Sequence, residues 1–184
     1  MRRLALLLIA TLCVSVSAFS ETTIYSDLNS DPKNVYDCCN GYQVESPSAV
    51  IAVAIPFTIP NGVTRLDHAT AGVQWVFDYD RHHFGQWAIY SDRSGLPGGF
   101  VSGATFSHMP EINTCCILKN TGNKHHPKLT AGQQYWFEFY APGNFTIDQW
   151  AYNTTKASGN YAVLTQSGWQ LQNGTMPAIA IYGK

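Results

Sequence analysis

Charged residues are scarce in this sequence. Only 12% of its 184 residues are Asp, Glu, Lys or Arg, and 11 basic against 12 acidic residues give a formal net charge of −1. A disordered chain or a coiled coil would carry far more charge, and a polyanion-binding domain would carry an excess of Lys and Arg. We therefore expect a folded protein with no nucleic-acid partner.

Long apolar runs are missing beyond the N-terminus. Residues 4–16 form a 13-residue apolar stretch after two arginines, a length typical of a signal peptide and too short to span a bilayer comfortably. Val16 and Ala18 place small residues at the −3 and −1 positions of a cleavage site. We predict a signal peptide over 1–18, whose loss lowers the net charge to −3, and one secreted domain over 19–184. The mature chain is expected to be extracellular or periplasmic, without membrane insertion.

Cysteines are few and stand in adjacent pairs. Signal cleavage removes Cys13 and leaves Cys38, Cys39, Cys115 and Cys116. An even number of cysteines in an exported chain predicts disulfide bonds. Cross-links between the two pairs would close loops of about 75 residues and stabilise the fold by about 4 kcal/mol, whereas a vicinal bond within each pair is the open alternative. Zinc binding is not favoured, because adjacent cysteines lack the spacer that lets two thiolates converge on one metal.

Helical periodicity is also missing. Short runs of β-branched and aromatic residues alternate instead with Gly, Pro, Asn and Ser. The clearest predicted strands cover residues 49–59, 72–77, 86–91, 100–106, 134–140, 145–152, 160–165 and 176–182. Eight to eleven short strands at this spacing predict an all-β fold, an antiparallel β-sandwich or jelly roll.

Alternation within two of these strands predicts which side chains are buried. Val73, Trp75 and Phe77 share one face of their strand and are expected in the core. In the strand over 134–140, the second face carries the charged residue and is expected to face solvent. That second face consists of Trp136, Glu138 and Tyr140.

Three stretches carry a resemblance to a known family. They are 89–98 (IYSDRSGLPG), 129–136 (LTAGQQYW) and 177–183 (PAIAIYG). Together with Pro56-Phe57-Thr58 and Thr114-Cys115-Cys116, they resemble the bacterial exported choice-of-anchor domains (PEP-CTERM-associated), which are β-sandwich proteins often carried on a C-terminal sorting tail. The resemblance covers most of residues 23–183 and implies a bacterial β-sandwich and export. No sorting tail follows in this sequence, and the resemblance implies no established activity.

Two segments are candidate metal sites. The first offers carboxylates and imidazoles that a loop could gather around a transition metal, and consists of Asp78, Asp80, His82 and His83. The second offers oxygen ligands at alternate positions, as in the first half of a calcium loop, and consists of Asp27, Asn29 and Asp31. Pro32 and Cys38 stand where an EF-hand needs Gly and Glu, so an EF-hand is excluded. Exposed turns without an ion are the alternative for both segments, and a structural calcium ion is the one cofactor we consider.

Recognised catalytic motifs are missing. The sequence contains no G-x-S-x-G, H-E-x-x-H or P-loop pattern. Glycosidases need two carboxylates facing each other across a cleft, and nothing in the spacing of Asp78, Asp80, Glu138 and Asp148 pairs any two. We therefore expect a protein that is not an enzyme.

Aromatic residues, in contrast, make up 13% of the chain. Flat rings beside Asn, Gln and Asp suit stacking against sugars, although tryptophans also commonly fill cores. We predict a binding site for a glycan or cell-surface polymer, formed by Trp136, Tyr140, Trp150 and Tyr152. The alternatives are a secreted hydrolase acting on polysaccharide and a structural matrix subunit without a small ligand. The sequence does not predict the ligand or the oligomeric state.

Overall fold

A computed structural model describes residues 21–46, 50–78, 83–121, 126–143 and 145–184. Within these ranges the chain forms β-strands and no helix. The strands are β1 (Thr22–Ser26), β2 (Tyr36–Ser46), β3 (Ala52–Thr58), β4 (Leu66–Ala71), β5 (Val73–Asp78), β6 (Gly85–Arg93), β7 (Leu96–Phe106), β8 (Lys119–Asn120), β9 (Gln134–Tyr140), β10 (Thr146–Asn153), β11 (Ser158–Thr165), β12 (Gly168–Thr175) and β13 (Ile179–Gly183). The named strands pair antiparallel. The predicted all-β antiparallel sandwich is confirmed, and the predicted signal peptide lies outside the described residues.

Two layers make up the sandwich. One layer is a six-stranded sheet in the order β12-β11-β3-β9-β6-β7, and the other combines the sheets β1-β13-β4-β8 and β2-β10-β5. Gly72 joins these two smaller sheets, since its N–H donates to the carbonyl of Ala178 and its carbonyl accepts from the N–H of Ala151. A Cβ atom at Gly72 would lie 2.8 Å from the Tyr36 ring. Glycine therefore permits the close packing at this junction.

The main core lies between the layers. Trp87 and Phe137 project into it from the six-stranded sheet, and Val73 and Trp150 project from the opposite layer; all four are fully buried. The Trp150 ring lies 5.7 Å from that of Phe137, and its indole N–H donates to the carbonyl of Ala178. Complete burial of each such side chain stabilises the fold by about 1.5–3 kcal/mol.

The predicted core face of β5 is correct for Val73 and wrong for Phe77. Val73 is fully buried and Trp75 packs partly buried against the core, whereas the Phe77 side chain is 50% exposed. The pairing of β5 with β10 shifts between Trp75 and Phe77, so that Val76 is an extra residue in β5. A bulge of this kind changes the face on which the following side chains lie, and the alternation of the sequence does not reveal it.

The six-stranded sheet bends so that its outer face, the face turned away from the main core, becomes concave. Its two edge strands, β12 and β7, come into contact, and the ring of Trp169 on β12 lies 6.5 Å from that of Tyr90 on β6. A flat sheet would hold β12 and β6 about 19 Å apart, because four spacings of about 4.8 Å separate them. Small buried side chains on the inner side leave room for this bend, which we call the curl: Ala54, Ala88 and Ala162.

Candidate functional site

The β9 face that was predicted to meet solvent lies inside the curl. Trp136 is 1% exposed and Glu138 is 3% exposed, while Tyr140 is half-buried. Trp136 packs with Ala54 and Ala162 in a small apolar cluster that also contacts Trp169. The prediction of solvent exposure is therefore wrong for Trp136 and Glu138, because the curl brings β12 over a face that would be open in a flat sheet.

The polar edge of Trp136 leads to Asp92 at the rim of the curl. The indole N–H donates to Asp92 Oδ1 at 2.8 Å, and the amide of Gln134 donates to the same oxygen at 2.7 Å. Asp92 Oδ2 accepts from the N–H of Gly95. Partial burial favours a higher pKa for Asp92, but the hydrogen bonds from Trp136, Gly95 and Gln134 hold the pKa below its usual value. Asp92 is thus an exposed carboxylate that stays ionised beside the aromatic rings.

Glu138 is a second carboxylate, enclosed within the curl. It stands opposite Ala54 on β3 and Ala88 on β6, and among the described residues its Oε2 has no hydrogen-bond partner. Burial raises the pKa of Glu138 to about 7, while a hydrogen bond with Tyr90 acts in the opposite direction. Its carboxyl group therefore titrates near neutral pH.

These two carboxylates do not form a glycosidase pair. Such an enzyme needs two carboxyl groups that face the same substrate-accessible cleft. Glu138 is enclosed inside the curl, whereas both oxygens of Asp92 accept hydrogen bonds at the rim. The arrangement does not present both groups to one substrate.

A row of three aromatic rings lies where the curl closes. Phe100 on β7 stands opposite Tyr90 on β6, with the ring centroids 5.9 Å apart, and Tyr90 in turn contacts Trp169. Phe100 is 66% exposed, and the other two rings are half-buried. We call Phe100, Tyr90 and Trp169 the aromatic strip. Leu171, the next β12 residue on the same face as Trp169, is also exposed.

The predicted four-residue aromatic site is not assembled as one surface. Trp150 is fully buried in the core between the layers. Tyr152 is half-buried against Tyr42, with ring centroids 4.8 Å apart. Both residues lie on β10, the central strand of a sheet in the other layer, so they are separated from Trp136 and Tyr140 by the core. Sequence reasoning missed the aromatic strip because its rings come from three strands that the curl brings together.

The candidate transition-metal segment is only partly described. Asp78 Oδ2 accepts a hydrogen bond from the N–H of His83 at 2.6 Å. The His83 ring packs on Trp75, with centroids 4.4 Å apart. Asp80 and His82 lie outside the described residues, so the convergence of the four groups stays a prediction.

The candidate calcium segment uses its oxygens within the fold. Asp27 is buried, and its carboxylate accepts from the N–H of Ile179 at 2.8 Å and from the hydroxyl of Tyr25 at 3.0 Å. Burial raises the pKa of Asp27 to about 6, against the effect of these hydrogen bonds. The side chains of Asn29 and Asp31 each accept from the N–H two residues further along, as is typical of Asx turns. The segment therefore ties β1 to β13 and shapes the turn that follows.

Three of the four cysteines in the described residues bring their sulfur atoms together at one point. The sulfur of Cys115 lies at bonding distance from those of both Cys38 and Cys116, although one sulfur forms one disulfide. The Cys38–Cys115 bond cross-links the two sequence pairs across 77 residues, as one of the predicted pairings required. Cys39 is free and exposed. The prediction that Cys39 is disulfide-bonded is therefore wrong, because adjacent residues on β2 point to opposite faces.

Comparisons with known proteins do not assign the chain to a family. No family model, no curated protein and no solved structure matches it. In the part of the chain that the structure describes, no helix has the length and apolar character needed to cross a membrane. The functional interpretation therefore depends on the surfaces and clusters described above.

Proposed function

We propose that this chain is a secreted, non-catalytic binding protein that recognises a carbohydrate or cell-surface polymer through the aromatic strip. The observation that supports the proposal is the contiguous row of Phe100, Tyr90 and Trp169, which begins at a side chain that is 66% exposed. Leu171 extends the apolar surface beyond the rings. Contiguous apolar surface of this kind marks interaction sites on soluble proteins.

The chemistry beside the strip suits a polyhydroxylated ligand. Aromatic faces pack against the C–H faces of sugar rings, and an ionised carboxylate accepts hydrogen bonds from hydroxyl groups. Asp92 is such a carboxylate, positioned by Trp136 and Gln134. Asp92 and the exposed Arg93 contribute one charge of each sign, a balance that favours a neutral polymer over a polyanion.

Affinity gel electrophoresis of the full mature chain tests this proposal with a panel of neutral polysaccharides. We expect at least one polymer to retard the wild-type protein. Phe100→Ala and Trp169→Ala should each weaken binding by about 2- to 10-fold, since one aromatic contact contributes about 0.5–1.5 kcal/mol. The matched control is Phe145→Ala, which removes a ring that is 68% exposed but lies outside the strip. Phe145→Ala should bind like the wild type.

Four results would contradict the proposal. Absence of retardation across the panel, or an equal loss in Phe145→Ala, would exclude recognition by the strip. Release of reducing ends that Glu138→Gln abolishes would favour the hydrolase instead. Concentration-dependent assembly without any polysaccharide binding would favour the matrix subunit.

A further inference from the structure

A separate cluster of metal-ligating side chains lies in the layer opposite the aromatic strip. Asp67 and His68 are adjacent on β4, and Glu21 immediately precedes β1. One ligand atom from each of the three lies within 4.8 Å of the others. His68 Nδ1 lies 3.1 Å from Asp67 Oδ2 and 3.3 Å from Glu21 Oε1.

We propose that Glu21, Asp67 and His68 bind a divalent transition-metal ion, with Zn²⁺ as the representative case. Metal–ligand distances of about 2.0–2.1 Å in a tetrahedral zinc site place neighbouring ligand atoms about 3.3 Å apart. The two separations measured from His68 Nδ1 are close to that value. An imidazole with two carboxylates favours zinc and its neighbours, because calcium and magnesium prefer oxygen ligands alone.

The two oxygens of Asp67 have different surroundings. Oδ2 faces His68, whereas Oδ1 accepts from Lys184 Nζ at 2.6 Å and lies 3.5 Å from His126 Nδ1. Metal-binding carboxylates are commonly held in this way by hydrogen bonds from outside the ligand set. Lys184 is thus a positioning residue, which orients Asp67 and leaves Oδ2 directed toward the metal position.

The His68 ring is also held in place, and the site is open to solvent. The ring stacks on Tyr182 with centroids 4.6 Å apart and an interplanar angle of 20°. The side chains of Glu21 and His68 are 46% and 28% exposed. An ion can therefore enter, and its fourth position is available to water.

Calorimetric titration of the chelator-treated full mature chain with ZnCl₂ tests this site. We expect one Zn²⁺ per chain, and a loss of affinity of tenfold or more in His68→Gln and Asp67→Asn. Glu21→Gln should show the same loss and is the variant expected to disturb folding least, since Glu21 precedes the first strand. His108→Gln, a change of an exposed histidine elsewhere on the surface, should bind zinc like the wild type.

The sulfur cluster requires its own control, because thiolates also bind zinc. The Sγ atoms of Cys38, Cys115 and Cys116 lie within 4.8 Å of one another. We expect Cys115→Ser to retain the zinc stoichiometry and the Co²⁺ spectrum to lack a sulfur-to-metal charge-transfer band. The proposal is overturned if His68→Gln and Glu21→Gln, both folded by circular dichroism, bind zinc like the wild type. It is equally overturned if Cys115→Ser, also folded by circular dichroism, abolishes binding by itself.

Discussion

The ring of Trp169 lies 6.5 Å from the ring of Tyr90, although three strands separate β12 from β6 in the sheet order. This contact is the closure of the curl. The same contact completes the aromatic strip on the outside and covers Trp136 and Glu138 on the inside. The stability of the curl and the shape of the proposed binding surface are therefore physically linked.

Enlarging a side chain inside the curl should weaken both stability and binding. Ala54 is fully buried beside Trp136 and Ala162, and Ala54→Leu overpacks this space at a cost of about 1–3 kcal/mol. We expect a lower midpoint of urea denaturation and weaker retardation by any polysaccharide that the wild type binds. Ala131→Leu, at an exposed turn position, is the control and should change neither quantity. Equal midpoints for Ala54→Leu and the wild type would contradict the curl.

The enclosed Glu138 should make stability depend on pH. Burial raises the pKa of Glu138 from 4.5 in the unfolded chain to about 7 in the folded protein. Below pH 4.5 the carboxyl group is protonated in both states and does not change the free energy of unfolding. As the pH rises, ionisation of Glu138 lowers the free energy of unfolding, and the loss is complete above pH 7, at about 3 kcal/mol. Glu138→Gln should therefore be more stable than the wild type at pH 8 and equally stable at pH 4.

Urea denaturation at these two pH values measures the effect of Glu138→Gln. Glu111→Gln, a change at an exposed carboxylate, should show no such gain at pH 8. An unchanged or lower free energy of unfolding of Glu138→Gln at pH 8 would mean that its carboxylate is stabilised by partners in the folded protein.

Ionisation of Asp148 should also lower the free energy of unfolding, and its effect should extend to higher pH than that of Glu138. Asp148 is fully buried, and within the described ranges neither carboxylate oxygen has a hydrogen-bond partner. Burial, and secondarily the charge of Asp78, raise the pKa of Asp148 from 3.8 to about 8. Its penalty is absent below pH 3.8 and complete above pH 8, so Asp148→Asn should stabilise the protein at pH 8.5 and not at pH 3.5.

The contrasting variant for Asp148 is Asp92→Asn. Hydrogen bonds hold the pKa of Asp92 below its usual value despite partial burial, so removal of this charge should lower stability at neutral pH rather than raise it. Guanidinium denaturation at pH 8.5 compares the two variants. A loss of stability in both would show that the Asp148 carboxylate is solvated or paired.

The positions of several strands were predictable from the sequence, because runs of β-branched and aromatic residues mark them locally. The predicted strand over 134–140 coincides with β9, and the one over 160–165 lies within β11. The assignment of faces was less successful, because alternation separates two faces without showing what covers each one. Phe77 is exposed rather than buried because of a bulge, and Trp136 is buried rather than exposed because of the curl.

The candidate sites depend on contacts between distant parts of the chain. Phe100 and Trp169 lie on opposite edge strands of one sheet, and Glu21 reaches His68 through the pairing of β1 and β4 with β13. No other histidine lies near His68 in the sequence, so no local spacing marks it as a ligand. Such sites follow from topology, which a single sequence does not specify.

The cysteines should differ sharply in reactivity and in their effect on stability. Cys38 and Cys115 close a loop across 77 residues. Cys38→Ser should therefore lower the free energy of unfolding by about 4 kcal/mol, because the unfolded chain gains conformational entropy without the cross-link. Cys39, one residue away but free and exposed, should react with iodoacetamide in the folded protein. Its Ser variant should unfold at the same urea concentration as the wild type. Non-reducing peptide mapping after alkylation should join the peptide that contains Cys38 and Cys39 to the one that contains Cys115 and Cys116, and fragmentation should place the alkyl group on Cys39. An alkyl group on Cys38, with Cys39 in the bond, would contradict this arrangement.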